Sequence, residues 1–258
     1  MVLYNRQCYL FRTREGFGAM VSYQPGVYAG NTRDVRFPYR VKYAKQPGRP
    51  LLVFFHGGGA AGRDNLRPLW EFLFGPYPEW FPLQKRRALL GSDLTVLIPQ
   101  CGRGAAYDGE AFVSAVKELC ETLAGSASAD RGRIWCMGDS WGGRCAWLSA
   151  FLFPDFYACA MPMMGALDLQ PVPEKLTPQA LAHMRDLPVW ASHSADDPVV
   201  PVGRDDETVA LLRLLGAPVK YTRVNGRGHD RLVSQFLKTE PWAEWMFAQK
   251  KSLPPARQ

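Results

Sequence analysis

At 258 residues, with 47% apolar and 12% aromatic side chains, the chain can fill one large buried core but is short for two, and its composition is that of a globular rather than a disordered protein. The net charge of +7 comes from dispersed residues, Arg12, Arg14, Arg33, Arg36, Arg40 and Lys42 early and Lys85-Arg86-Arg87 later. Nucleic-acid binding needs a concentrated basic stripe, so no nucleic acid is expected as partner, and an anionic substrate or simple solubility accounts for the charge.

The opening, MVLYNRQCYLFRTREGF, interrupts its apolar residues with Asn5, Arg6, Gln7, Arg12 and Arg14, and no run approaches the roughly 18 apolar residues of a membrane span. The expectation is a cytoplasmic protein with no membrane partner. Residues 35–43 alternate as half-buried antiparallel strands do. From residue 51 the pattern changes to short runs, apolar throughout at 51–55 and mostly apolar at 94–98, 134–137, 157–161 and 189–193, with a mixed run at 219–224, which suit strands covered on both faces of a parallel sheet.

Helical patterns lie between them. Phe112, Val116, Leu119, Cys120 and Leu123 recur at 3.6-residue spacing, with Asp108 as N-cap and Gly125 as stop; 141–153 runs without a breaker to Pro154; 208–215 ends at Gly216. Strands alternating with helices predict a three-layer α/β fold, mostly parallel with antiparallel N-terminal strands, in one domain covering 1–258. Such sheets bind ligands beyond the C-terminal ends of their strands. His56-Gly57-Gly58, Ser140, Asp196-Asp197 and Gly228-His229 all fall there.

The stretch GDSWGG places Ser140 between Gly138 and Gly142, after an apolar strand and before a helix. This is the G-x-S-x-G elbow, whose sharp turn needs small flanking residues. A serine hydroxyl becomes a nucleophile when a histidine takes its proton and a carboxylate orients that histidine. An acid and a histidine follow Ser140 in the order that this arrangement uses. Gly57, Gly58 and Gly59 can bring bare backbone to a developing oxyanion, with the N–H of Trp141, at a helix N-terminus, as the second donor.

On these residues the chain resembles the α/β-hydrolase superfamily, within it the esterase, predicted-peptidase and phospholipase/carboxylesterase groups that include polyhydroxybutyrate-depolymerase-like and feruloyl-esterase-like proteins. The likeness runs from about Phe37 to Gln249. It is carried by PLLVFFHGGG with Asp64-Asn65, Pro99-Gln100-Cys101, the elbow, Phe153-Pro154-Asp155, HSADDPVVP, GRGHD and the closing WAEWMF. The resemblance implies the α/β-hydrolase fold and a catalytic triad of Ser140, Asp197 and His229. In the family the acid stands four residues after the histidine of the HG-x-x-D segment, which selects Asp197 over Asp196; Asp168 is the third candidate. The oxyanion hole is assigned to Gly58, Trp141 and Gly57. Three departures stand out: Ser194 replaces the usual Gly, Asp139 precedes the nucleophile where an apolar residue is common, and Trp141 replaces a common Met.

His56 is read as a buttress of the oxyanion loop, His193 as packed and His183 as exposed. Trp141, Tyr107 and Trp80 are the expected substrate-binding residues, with Trp70, Tyr77, Phe81 and Arg103 as further candidates, and the segments 66–90 and 171–188 are candidate caps. The six cysteines, Cys8, Cys101, Cys120, Cys136, Cys145 and Cys159, include no CxxC pair and read as reduced core residues. With four histidines and none at ligand spacing, no metal or organic cofactor is expected.

The function implied is hydrolysis of carboxylic esters through an acyl-enzyme, on a small-molecule or carbohydrate-linked substrate such as an acetyl or feruloyl ester. A serine peptidase on the same fold and a hydrolase-like ligand-binding protein are the alternatives. Since an ordinary imidazole titrates near pH 6.5, activity is expected to fall below about pH 6 to 7.

Overall fold

The computed structural model describes residues 8–9, 12–13, 16–17, 21–30, 35–74, 92–102, 109–126, 129–168 and 171–253. Four two-residue strands come first: β1 (Cys8–Tyr9), β2 (Arg12–Thr13), β3 (Gly16–Phe17) and β4 (Val21–Ser22), with β1 antiparallel to β4 and β2 antiparallel to β3. The alternating stretch near residue 40 forms an antiparallel pair, β5 (Gln24–Ala29) with β6 (Arg36–Lys42).

The apolar runs become β7 (Leu51–Phe55), β8 (Thr95–Pro99), β9 (Ile134–Asp139), β10 (Cys159–Met163), β11 (Val189–Ser194) and β12 (Val219–Val224). Among the described residues β5 to β12 form one eight-stranded sheet in the order β12-β11-β10-β9-β7-β8-β6-β5. The strands from β7 onward run parallel, and β6 joins the edge of β8 antiparallel. Several boundaries differ from the sequence pattern: β8 takes in Pro99, β9 reaches Asp139, β11 reaches Ser194, the helix over 110–126 runs past Gly125, and the helix expected from 208 begins at Val202. β10 starts at Cys159 and continues through Pro162, paired with Gly138, because a proline forfeits only its own N–H while its neighbours keep the ladder.

The helices are α1 (Arg67–Phe74), α2 (Glu110–Ser126), α3 (Trp141–Leu152), α4 (Pro178–Leu181), α5 (Val202–Leu214), α6 (Arg231–Thr239) and α7 (Trp242–Ala248). They cover both faces, which is why β7 to β11 are buried along their whole length, while the edge strand β12 is only partly buried. In β7, Leu51, Val53 and Phe55 enter the core shared with α2, α3 and α5, while Leu52 and Phe54 enter the core shared with α1, α6 and α7. β9 splits the same way, Ile134 and Cys136 against Trp135 and Met137. Each large apolar side chain buried this fully contributes roughly 1.5–3 kcal/mol, so a central strand anchors both layers at once.

Cys101, Cys120, Cys136, Cys145 and Cys159 are buried free thiols. No helix among the described residues is long and apolar enough to cross a membrane. The candidate cap at 171–188 lies against the body of the fold: Val172, Leu176, Leu181, Met184 and Leu187 share the core of Trp147 and Leu148, and His183 Nε2 lies 2.6 Å from the Phe151 carbonyl of α3.

Candidate active site

The first requirement of the elbow is a tight crossing, and the glycines satisfy it. A Cβ on Gly142 would stand 2.0 Å from the Phe55 carbonyl oxygen, and one on Gly138 would stand 2.4 Å from the Gly142 oxygen. Between them Ser140 adopts φ 55° and ψ −117°, a conformation that costs a non-glycine residue about 1–3 kcal/mol and must be held by its surroundings. The Ser140 N–H donates to Met163 O at 2.9 Å and its carbonyl accepts from Arg144 N at 3.0 Å. Gly142→Ala is therefore expected to cost about 3 kcal/mol or more in urea unfolding, since the clash is with backbone. Gly203→Ala, where a Cβ meets nothing within 4 Å, is the matched control and should be near neutral.

Three side chains from separate loops converge at the strand ends. His229 Nδ1 donates to Asp197 Oδ2 at 2.7 Å, and Ser140 Oγ lies 2.8 Å from His229 Nε2. The carboxylate fixes the tautomer: with the proton on Nδ1, Nε2 faces the serine as an acceptor. Asp197 Oδ1 accepts the N–H groups of Val199 and Val200 at 2.8 and 3.0 Å. Burial alone would raise the Asp197 pKa, but His193, His229 and these two amides outweigh it and hold the carboxyl well below the usual range.

The other two acid candidates do different work. Asp196 accepts from the Ser194 hydroxyl and from the N–H groups of Arg227 and Gly228, the last two at 3.2 Å, and the Ser194 bond leads in lowering its pKa to about 2. It clamps the turn before His229, where Gly226 and Gly228 take positive φ. Ser194, one of the departures from the family pattern, belongs to this clamp. Asp168 Oδ1 lies 3.8 Å from Arg144 Nε.

His193 is fully buried and extends the acid side of the site. Its Nδ1 donates to Asp205 Oδ2 at 2.8 Å and its Nε2 reaches Val200 O at 3.0 Å and Asp197 Oδ2 at 3.3 Å. Trp147 Nε1 donates to the other Asp205 oxygen at 2.9 Å. Burial works to lower the His193 pKa, but the bonds to Asp197 and Asp205 prevail and raise it to about 9. A histidine that holds its proton more tightly when folded adds stability in full below about pH 6.5, and that increment disappears as pH rises through about 9. Tm is expected to fall across that window, and His193→Gln should remove that slope. A packed histidine was legible in the sequence; its link to Asp205 was not, because the partner sits on α5.

The glycine loop, the candidate oxyanion loop, follows β7. His56 Nδ1 donates to Gly57 O at 2.7 Å while its Nε2 accepts from Cys101 N at 3.3 Å, and burial lowers its pKa to about 4, so it is a neutral buttress. Gln100 completes the support, accepting from Asn65 N at 2.5 Å and donating to Ala60 O at 2.9 Å. Gly58 lies against the indole of Trp141, which a Cβ on Gly58 would approach to 3.2 Å. Gly57 requires a correction: its N–H donates to Glu71 Oε1, so it is committed within the protein and Gly58 and Trp141 remain as the pair of candidate donors. The only sequence signal for Glu71 was a lone acid in the otherwise apolar body of α1.

Trp70 is exposed on α1. Tyr107, Trp80, Tyr77, Phe81, Arg103 and Asp108 lie outside the described residues, as does most of the candidate cap at 66–90. Among the described residues no group of three His, Cys, Asp or Glu side chains is placed to hold a metal ion.

No protein-family model matches the chain. Over 154 residues it is 30% identical to "Probable carboxylesterase M8" of Phoma sp. (strain ATCC 20986 / MF5453), the match covering 57% of this chain and 46% of that protein. The chain thus spans about half the length of the curated relative that it matches. Among solved structures it is similar to a thermostable esterase, 24% identical with TM-score 0.72 over 89% of this chain and 63% of that one. It is also similar to the acylaminoacyl peptidase of Pyrococcus horikoshii, 16% identical with TM-score 0.62 over 92% and 43%. A ferulic acid esterase matches at 16% identity and TM-score 0.62 over 86% and 98%. At these identities the likeness is one of fold.

Proposed function

Because the chain has the α/β-hydrolase fold, we propose that it is a serine carboxylesterase whose triad is Ser140, His229 and Asp197. The observation that carries this reading is the hydrogen-bonded line from the Ser140 hydroxyl through His229 to Asp197, at 2.8 and 2.7 Å. His229 Nε2 takes the serine proton as Oγ attacks the ester carbonyl, and Asp197 stabilises the imidazolium that forms. The negative charge moves to the carbonyl oxygen, where the N–H groups of Gly58 and Trp141 receive it, each such donor being worth about 3 kcal/mol in the transition state. Collapse of the tetrahedral intermediate breaks the C–O bond, and His229 returns the proton to the departing alcohol. Water then attacks the acyl-enzyme by the same route in reverse and frees the acid.

The proposed substrates are short acyl or phenolic esters, free or carbohydrate-linked. The curated relative's description supports an ester over an amide. The test is hydrolysis of p-nitrophenyl esters from acetate to octanoate, set against aminoacyl and prolyl anilides. Turnover of the esters, highest with short acyl chains, is the expected result. Cleavage of the anilides at rates above the esters would make the protein a peptidase, and saturable binding without turnover would make it a binding protein.

A further inference from the structure

Two carboxyl groups, one on a buried residue and one on a half-buried residue, have no task in the proposed reaction. Asp139 is the last residue of β9, adjoins the nucleophile and is 4% exposed. Glu71 lies on α1 with its carboxyl turned inward. The two carboxyls hydrogen-bond to each other, and the Glu71 oxygen Oε1 also accepts the Gly57 N–H. A Cβ on Gly57 would stand 3.0 Å from Asp139 Oδ2 and 3.5 Å from Glu71 Oε1. The pair therefore sits where α1, the oxyanion loop and the elbow meet.

Two carboxylates withdrawn from water cannot both be charged at hydrogen-bond distance, so one proton lies between them. Burial and then the Asp139 charge hold the Glu71 proton well above the usual carboxyl range. Burial leads in raising Asp139, to about 7, with His229 and Glu71 opposing and Asp230 adding to the rise. The Glu71 carboxyl thus accepts from Gly57 through Oε1 and, when protonated, has a proton to donate to Asp139.

We propose that Glu71 and Asp139 share one proton and in that form tie the Gly57–Gly58 turn to the elbow, holding the Gly58 and Trp141 N–H groups convergent, and that loss of this proton on the alkaline side releases the turn and lowers turnover. Both are positioning residues, since neither touches the reacting atoms. Two ionised carboxylates repel, and Glu71, on the more exposed side, is the one that leaves Gly57. The catalytic part of this inference rests on the esterase reading; the shared proton does not.

The test compares the full-length wild type with Glu71→Gln and Glu71→Ala. Glutamine copies the protonated acid: its oxygen accepts from Gly57, its amide donates to Asp139, and it cannot ionise. Profiles of kcat against pH for p-nitrophenyl acetate, over about pH 6 to 10, should show an alkaline decline in the wild type that E71Q lacks, with E71Q close to wild type at neutral pH. E71A should lose about 100-fold in kcat with KM little changed, the effect of a misplaced catalytic geometry. Infrared spectra at about pH 8, where ordinary carboxyls are ionised, should show a protonated-carboxyl stretch that E71Q lacks.

An E71Q variant as impaired as E71A, an alkaline decline common to wild type and E71Q, or no protonated-carboxyl band would each overturn the proposal. A wild type that shows the band but hydrolyses no ester leaves the shared proton standing and removes the esterase reading instead.

Discussion

Ser140→Ala is expected to reduce kcat for p-nitrophenyl esters by roughly 10⁵- to 10⁶-fold with KM little changed, as loss of a triad nucleophile does. The site explains why the loss should be so large and so confined to chemistry. The Ser140 hydroxyl bonds to His229 Nε2, so its removal takes away the attacking atom and leaves no buried partner stranded elsewhere. The strained turn is held by the Ser140 backbone bond to Met163 and by the crossing of Gly138 and Gly142 under Phe55, none of which alanine alters. Circular dichroism and Tm of the variant should match the wild type. A residual rate above that of water is expected from the oxyanion donors and substrate binding.

The second large effect is Asp197→Asn, expected to lower kcat by roughly 10³- to 10⁴-fold. An asparagine amide at this position donates to His229 Nδ1, which moves the imidazole proton to Nε2, where it faces Ser140 and cannot accept its hydrogen. The substitution also removes half of the charge that holds His193, which reaches Asp197 Oδ2 at 3.3 Å, so a loss of stability should accompany the loss of rate. Asp196→Asn separates the two neighbouring acids. Asp196 clamps the turn before His229 without touching the ring, so its variant should lose far less in kcat than D197N. An equal loss in both would place the acid wrongly.

Much of this arrangement was legible in the chain because it depends on local rules. The apolar runs at 51–55 and 134–137 marked strands buried on both faces, and their alternate residues do divide between two cores. G-x-S-x-G was readable because the crossing of β9 and α3 excludes any side chain at Gly138 and Gly142. Pro99-Gln100-Cys101 and Asp64-Asn65 looked like unrelated fragments; the structure joins them, with Gln100 and Asp64 securing the loop that follows His56.

What escaped the sequence depends on partners far apart in the chain. Gly57 looked as suitable a donor as Gly58, and only the approach of α1 commits its N–H to Glu71. Asp139 stood out as a charge beside the nucleophile, but its partner 68 positions earlier left no periodic or spacing signal. Asp205 reads as an ordinary residue in the first turn of a helix, yet it is fully buried between Trp147 and His193. The stretch 171–188 carries turn residues and prolines that suggest a cap, while its spaced apolar residues are what bind it to the core.

Covalent capture shows whether Ser140 is a nucleophile activated by His229. The wild type is incubated with a fluorophosphonate, whose phosphorus is attacked by an activated serine with departure of fluoride, and the modified residue is located by peptide mass spectrometry. The expected result is one phosphonyl group on Ser140, absent from S140A and strongly slowed in His229→Ala. A folded wild type that takes no label, or takes it on another residue, would show that Ser140 is not the activated nucleophile.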